Sequence, residues 1–185
     1  MAPDTSQQQP QQPQQGQQPQ QQERVPLEAR VLSEIYFRND GRPGSVPVSP
    51  GELSREFKRP EADVLAAMKG LRLDGYLSRP SDANPLGAYA DRNSFFDITD
   101  KGVEHYEGLR KSFAPDAEQD TLLDAIKPGQ KTLPGLAKAA GRATDSASLK
   151  ALEPLLDELV VYGRVERSRD PLGGGTTYSL RKKRR

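Results

Sequence analysis

The sequence predicts a mainly α protein with small β-hairpins, an α+β fold built as two units of one type. The first observation behind this is a repeat. With Gly75 and Gly163 superimposed, Val64, Ala67, Met68, Leu71, Leu73 and Leu77 fall on Leu152, Leu155, Leu156, Leu159, Val161 and Val165. Apolar residues at every third or fourth position, cut by a glycine ahead of an extended segment, describe a helix, its C-cap and a strand. The second observation is a low aromatic content of 6% with no tryptophan, so the cores rest on Leu, Val, Ala and Ile, as suits small helical domains. The third is length: 185 residues with a low-complexity start leave room for two small domains. The expected division is a Gln/Pro-rich tail over 1–24, units over 25–114 and 115–180, and a basic tail over 181–185.

Residues 7–22 hold twelve glutamines broken by prolines and Gly16, with nothing apolar to bury, so a disordered tail with polyproline II character is expected there. The first unit opens with an amphipathic helix that turns Leu27, Val31, Ile35 and Tyr36 to a core and stops at Asn39-Asp40-Gly41. Val46-Pro47-Val48 is a short extended piece. Ser49-Pro50-Gly51-Glu52 places an N-cap, a proline at the first helical position and a glutamate at the third, opening a helix over Pro50 to Phe57. Pro60 begins the next helix, which runs to Asp74 and passes into a strand over Tyr76 to Ser78. After a long loop, Phe95 to Ile98 return as a strand, and Thr99-Asp100-Lys101-Gly102 cap a helix reaching Phe113.

The second unit repeats the scheme. Its first helix is expected over Asp120 to Lys127, an extended piece at Thr132-Leu133, and a second helix over Pro134 to Ala140. The third helix spans Ser148 to Tyr162, with Pro154 expected to bend it or delay its regular start to Glu153. A strand over Arg164 to Arg167, a glycine tip at Gly173 to Gly175 and a strand over Thr176 to Leu180 complete it. The long helix that closes the first unit has no counterpart in the second.

The order helix, short strand, helix, helix, strand, loop, strand resembles the winged helix-turn-helix. The resemblance is carried by Glu52-Leu53-Ser54, by Leu71-Arg72-Leu73-Asp74-Gly75-Tyr76-Leu77 and by Phe96-Asp97-Ile98-Thr99-Asp100-Lys101-Gly102. The last stretch is similar to the strand-to-helix junction of MarR-like and PadR-like bacterial regulators. It implies two tandem winged helix-turn-helix domains and double-stranded DNA as partner, with a role as transcriptional regulator or nucleoid factor.

Composition narrows the alternatives. The absence of cysteine removes thiolate ligands and thiol nucleophiles, and a lone His105 cannot supply a histidine metal cluster, so neither metal nor cofactor is expected. His105 reads as a surface or packing residue. No run approaches the roughly 20 apolar residues of a membrane span, and no apolar stretch near the start could act as a signal. A cytoplasmic, nucleoid-associated protein is expected. No phosphate-binding glycine loop follows a strand, the pairs Glu61/Asp63 and Asp157/Glu158 read as solvent-facing, and no small-molecule substrate is evident, so an enzyme is not expected.

Net charge is +1, but residues 23–114 carry −1 and residues 115–185 carry +3. The second unit is therefore the expected main DNA contact. Arg142, Thr144, Ser146, Ser148 and Lys150 surround the start of its third helix, where short hydroxyls and cations suit phosphates and base edges. Arg164, Arg167 and Arg169 flank the glycine tip, and Arg181, Lys182, Lys183, Arg184 and Arg185 leave the same hairpin. The expectation is that strand alternation sets Arg167 and Arg169 on one side, toward phosphate, and Val165 opposite, toward the core. In the first unit Glu61 and Asp63 occupy the leading turn of the third helix and oppose groove insertion. Backbone contacts are assigned there to Lys58, Arg59, Arg79 and Arg92. Its closing helix carries Val103, Tyr106, Leu109, Arg110 and Phe113 at helical spacing, a stripe for the core or for a homodimer. Two alternatives stay open: a protein-binding module resembling the winged-helix kleisin-binding subunits of bacterial condensins, and a winged-helix replication factor.

Overall fold

The computed structural model describes residues 24–44, 46–79, 95–169 and 175–181. The Gln/Pro tail, most of the first loop, the glycine tip at 170–174 and residues 182–185 lie outside them.

The described chain is mainly helical with small antiparallel sheets, arranged around two buried apolar clusters. The first cluster is built by α1 (Leu27–Arg38), α2 (Pro50–Phe57), α3 (Glu61–Leu73), the strand pair β1 (Leu77–Ser78) and β2 (Asp97–Ile98), and α4 (Asp100–Ser112). Local chemistry accounts for the boundaries. Ser49 and Glu52 close a reciprocal capping box on α2, and Thr99 Oγ1 accepts a hydrogen bond from Gly102 N at 3.0 Å to start α4. A Cβ on Gly102 would run into the Tyr76 carbonyl, so only glycine lets α4 begin this close to β1. Val48 pairs with Phe96 through two 2.9 Å backbone bonds, which adds the extended piece to the edge of the β1–β2 pair.

The second cluster is built by α5 (Ala117–Ile126), β3 (Lys131–Thr132), α6 (Leu133–Ala139), α7 (Ser146–Val161), β4 (Val165–Arg169) and β5 (Thr176–Leu180). The sheet order is β3-β5-β4, with the short strand beside the last one, as Val48 lies beside Phe96 in the first cluster. Each α3-type helix ends in the same cap. Gly75 and Gly163 take left-handed φ values of +78° and +68°, and paired bonds (Gly75 N to Arg72 O, Tyr76 N to Leu71 O; Gly163 N to Val160 O, Arg164 N to Leu159 O) satisfy the last carbonyls.

Several expectations are corrected here. α5 starts at Ala117 rather than Asp120, because Asp116 and Gln119 form a second capping box. α7 starts at Ser146, capped by Asp145, and runs through Pro154, so its start is not delayed to Glu153. A helix-interior proline costs about 3 kcal/mol; burial of Leu152, Leu155, Leu156 and Leu159 around it offsets this. Arg167 and Arg169 share a face with Val165 rather than opposing it, because side chains alternate with period two and Arg167 stands opposite the buried Tyr178 in the register.

Of the six repeated apolar pairs, five are buried in both copies. Leu73 is 87% exposed, whereas its counterpart Val161 is 7% exposed, because α7 ends against α1 of the first unit. That seam is polar and aromatic. Ser33 Oγ donates to the Val161 carbonyl at 2.9 Å, and the buried Tyr106 hydroxyl lies within hydrogen-bond reach of the same carbonyl and of Ser33 Oγ. The orphan carbonyl at the end of α7 is thus satisfied by the first unit. Burial pushes the Tyr106 phenol up to about 12, so it stays a neutral donor. The α4 stripe is spent within the chain, Tyr106 packing on Tyr36 and Phe37. Asp157 and Glu158 are half-buried and paired rather than open to solvent: Asp157 bridges Arg30 (3.2 Å) and Arg167 (3.0 Å), and Glu158 meets Arg24 (3.4 Å) and Gln119 (2.7 Å). No described helix is long and apolar enough to cross a membrane.

Candidate nucleic-acid interface

The sequence-assigned cations divide into those left toward solvent and those drawn into the fold. Lys58 ends α2 in a left-handed conformation (φ +54°), and the following Arg59 carbonyl accepts a 2.6 Å bond from Ser54 Oγ. Both residues therefore stand at a fixed corner between α2 and α3. Beyond it, Glu61 and Asp63 are exposed on the first turn of α3, favourable for the helix dipole and repulsive toward phosphate. Arg79 lies over the Phe96 ring at 5.1 Å. Arg92 lies outside the described residues, as do Lys182, Lys183, Arg184 and Arg185.

At the matching corner of the second unit, Arg142 pairs with Glu118 at 2.8 Å. Thr144, Ser146 and Lys150 are exposed, but Ser148 Oγ donates to the Asp145 carboxylate at 2.7 Å. Hydrogen bonds from the Ser148 backbone and hydroxyl hold Asp145 below the usual carboxylate range, so the leading turn of α7 bears a fixed anion. The expected surface of hydroxyls and cations is thereby corrected: one hydroxyl is occupied and a carboxylate stands among them. The N-cap was readable in Thr144-Asp145-Ser146 as an acidic residue ahead of an apolar-periodic run.

The arginines of the β4–β5 hairpin have three different surroundings. Arg164 donates to the Phe113 carbonyl at 3.1 Å, and Arg167 pairs with Asp157. Arg169 is exposed and its side chain makes no ion pair or hydrogen bond among the described residues. Arg181 is not a tail residue. Its backbone N–H continues the β4–β5 ladder to Arg164 O at 3.1 Å, and its guanidinium lies 3.5 Å from the Phe37 ring centre. Burial lowers its pKa, and its Nε has no hydrogen-bond partner. It is a cation of the seam.

The structure brings together residues that no stretch of sequence joins. Arg167 and Arg169 of β4 face Arg38, Glu52, Arg55 and Glu56 of the first unit across an open cleft of about 430 Å³. Arg38 is held by Glu34 (2.8 Å) and Glu56 (2.6 Å), and Glu52 by the Ser49 cap. Arg55 donates to the Gly51 carbonyl of its own helix at 3.2 Å and is exposed. Neither Arg38 nor Arg55 was a sequence candidate; an arginine on the outer face of α2 was readable, its approach to β4 was not. His105 stacks on Tyr76 at 4.2 Å on the surface.

Comparison of the chain with protein-family models, with curated proteins and with solved structures gives no match.

Proposed function

We propose that the chain is a double-stranded DNA-binding protein of tandem winged helix-turn-helix type, without catalytic activity, acting as a regulator or nucleoid factor in a bacterial cytoplasm. The observation that carries this reading is the repeated layout: two helices joined at a corner, a strand pair, and a short strand beside the last strand, found around both cores. Exposed Lys58 at one corner and Lys150 near the other, with Arg169 on the wing, supply phosphate contacts. Lys182 to Arg185 are assigned to the same contact as four further cations of the sequence. Unlike the sequence reading, this assignment leaves Arg142, Arg164 and Arg181 out of the main contact set, since each is engaged within the fold.

Fluorescence anisotropy of a labelled duplex against salt tests it. Log affinity should fall linearly with log salt, by about 0.9 per phosphate neutralised. No duplex affinity at low ionic strength would overturn the reading. A protein-docking module is the second reading, favoured by exposed Glu61 and Asp63 on α3 together with the bare Leu73. Such a module would capture a basic or apolar partner segment on α3 and leave DNA unshifted.

A further inference from the structure

We infer that the cleft between α2 and β4 is a composite phosphodiester-binding site, so that the two units grip one nucleic-acid strand together rather than binding separately. The inference rests on the DNA-binding reading and adds to it a location and a pair of residues.

Charge gives the first argument. Four guanidiniums line the cleft against two carboxylates. Glu34 also pairs with Arg38 and Asp157 with Arg167, so the cationic character of the cleft rests not on a net excess but on which of its arginines stand outside ion pairs. Both carboxylates are already committed: Glu52 accepts from Ser49 N (3.0 Å) and Oγ (3.1 Å), and Glu56 takes Arg38 at 2.6 Å. Arg167 is held on Asp157. Arg55 and Arg169 are left as the two guanidiniums with no ion pair among the described residues, Arg55 standing within electrostatic reach of Glu52 on its own helix. They come from different units, one from each wall. Arginine's planar fork suits bidentate contact with phosphate oxygens, and these two are exposed enough to turn toward a ligand without uncovering a buried group.

Rigidity gives the second argument. The two walls are tied to each other by bonds of the seam and by the cleft's own Arg167. α7 is tied to α1 through Val161, Ser33 and Tyr106, and Asp157 joins Arg30 of α1 to Arg167 of β4. A strand entering the cleft meets walls already positioned, so the ordering cost of binding is confined to the arginine side chains. Lys58 lies three residues beyond Arg55, at the end of the same helix, and extends the cationic edge toward the α2–α3 corner.

The test is duplex anisotropy as a function of salt for the full chain, Arg55→Gln, Arg169→Gln, the double variant, and Lys127→Gln as a charge-matched control outside the cleft. Each cleft substitution should weaken binding roughly tenfold beyond the control and lower the salt slope by about one. The double variant should lower it by about two. Wild-type affinity with cleft variants indistinguishable from Lys127→Gln would overturn the cleft and leave the DNA reading standing. No duplex binding by wild type would overturn both. Binding of polyglutamate but not duplex, abolished in the double variant, would overturn the inference in favour of an acidic protein partner.

Discussion

Removing the two hydroxyls that meet the Val161 carbonyl should cost more together than the sum of their separate costs. Tyr106→Phe keeps the ring against Tyr36 (4.5 Å) and Phe37 (5.7 Å) and deletes one buried donor. Ser33→Ala deletes the other, at 2.9 Å. Each single variant leaves the carbonyl one partner, so each loses a neutral hydrogen bond worth about 1 kcal/mol. The double variant leaves a buried acceptor with none, which adds on the order of 1 kcal/mol of desolvation and brings the total to about 3 kcal/mol. For a folded portion of this size that is roughly 2–4 °C per single variant and about 8 °C for the double. Differential scanning calorimetry of the four proteins at one pH measures the cycle. Additive losses, or no loss in the double variant, would refute the assignment of this carbonyl to the seam.

Two further outcomes follow from individual residues. Asp97 is buried on β2, its Oδ1 lacks a hydrogen-bond partner, and burial raises its pKa. The folded state therefore holds this proton more tightly than the unfolded chain, and stability falls as pH rises from the ordinary carboxyl range through the raised value. Asp97→Asn should raise Tm at pH 7, with the gain vanishing below the ordinary carboxyl range; a lower Tm at pH 7 would contradict this. Deleting residues 182–185 should reduce the salt slope by up to about 0.9 per cation at unchanged Tm. Extending the deletion to Arg181 should also lower Tm, because its guanidinium covers Phe37. Equal melting of the two truncations, read by circular dichroism, would contradict the placement of Arg181.

Local signals were legible and distant ones were not. The capping sequence around Ser49 and the glycine-ended helices at Gly75 and Gly163 appear where periodicity and cap chemistry put them, since both act within one helical turn. Leu73 and Val161 look alike in sequence and differ in burial, because α1 covers only the second. Asp157 reads as a solvent-facing acid until Arg30, 127 residues away, is placed beside it. Arg181 reads as the first residue of a basic run, yet the β4–β5 register carries it one step past Leu180 and into the seam. Cations are countable in the sequence, but their pairing depends on partners elsewhere in the chain, as for Arg30 and Arg167 with Asp157. That distinction moves the proposed contact from the whole β4–β5 hairpin to Arg169, and adds Arg55.

Backbone amide shifts of the full chain, titrated with a short duplex and followed by NMR, test the central claim most directly. The account predicts perturbations concentrated at Arg55, Lys58 and Arg59, along β4 to Arg169, and around Thr144 to Lys150, with Tyr106 and Val161 in the seam unmoved. A duplex that perturbs none of these segments, or moves only Glu61, Asp63 and Leu73, would contradict it.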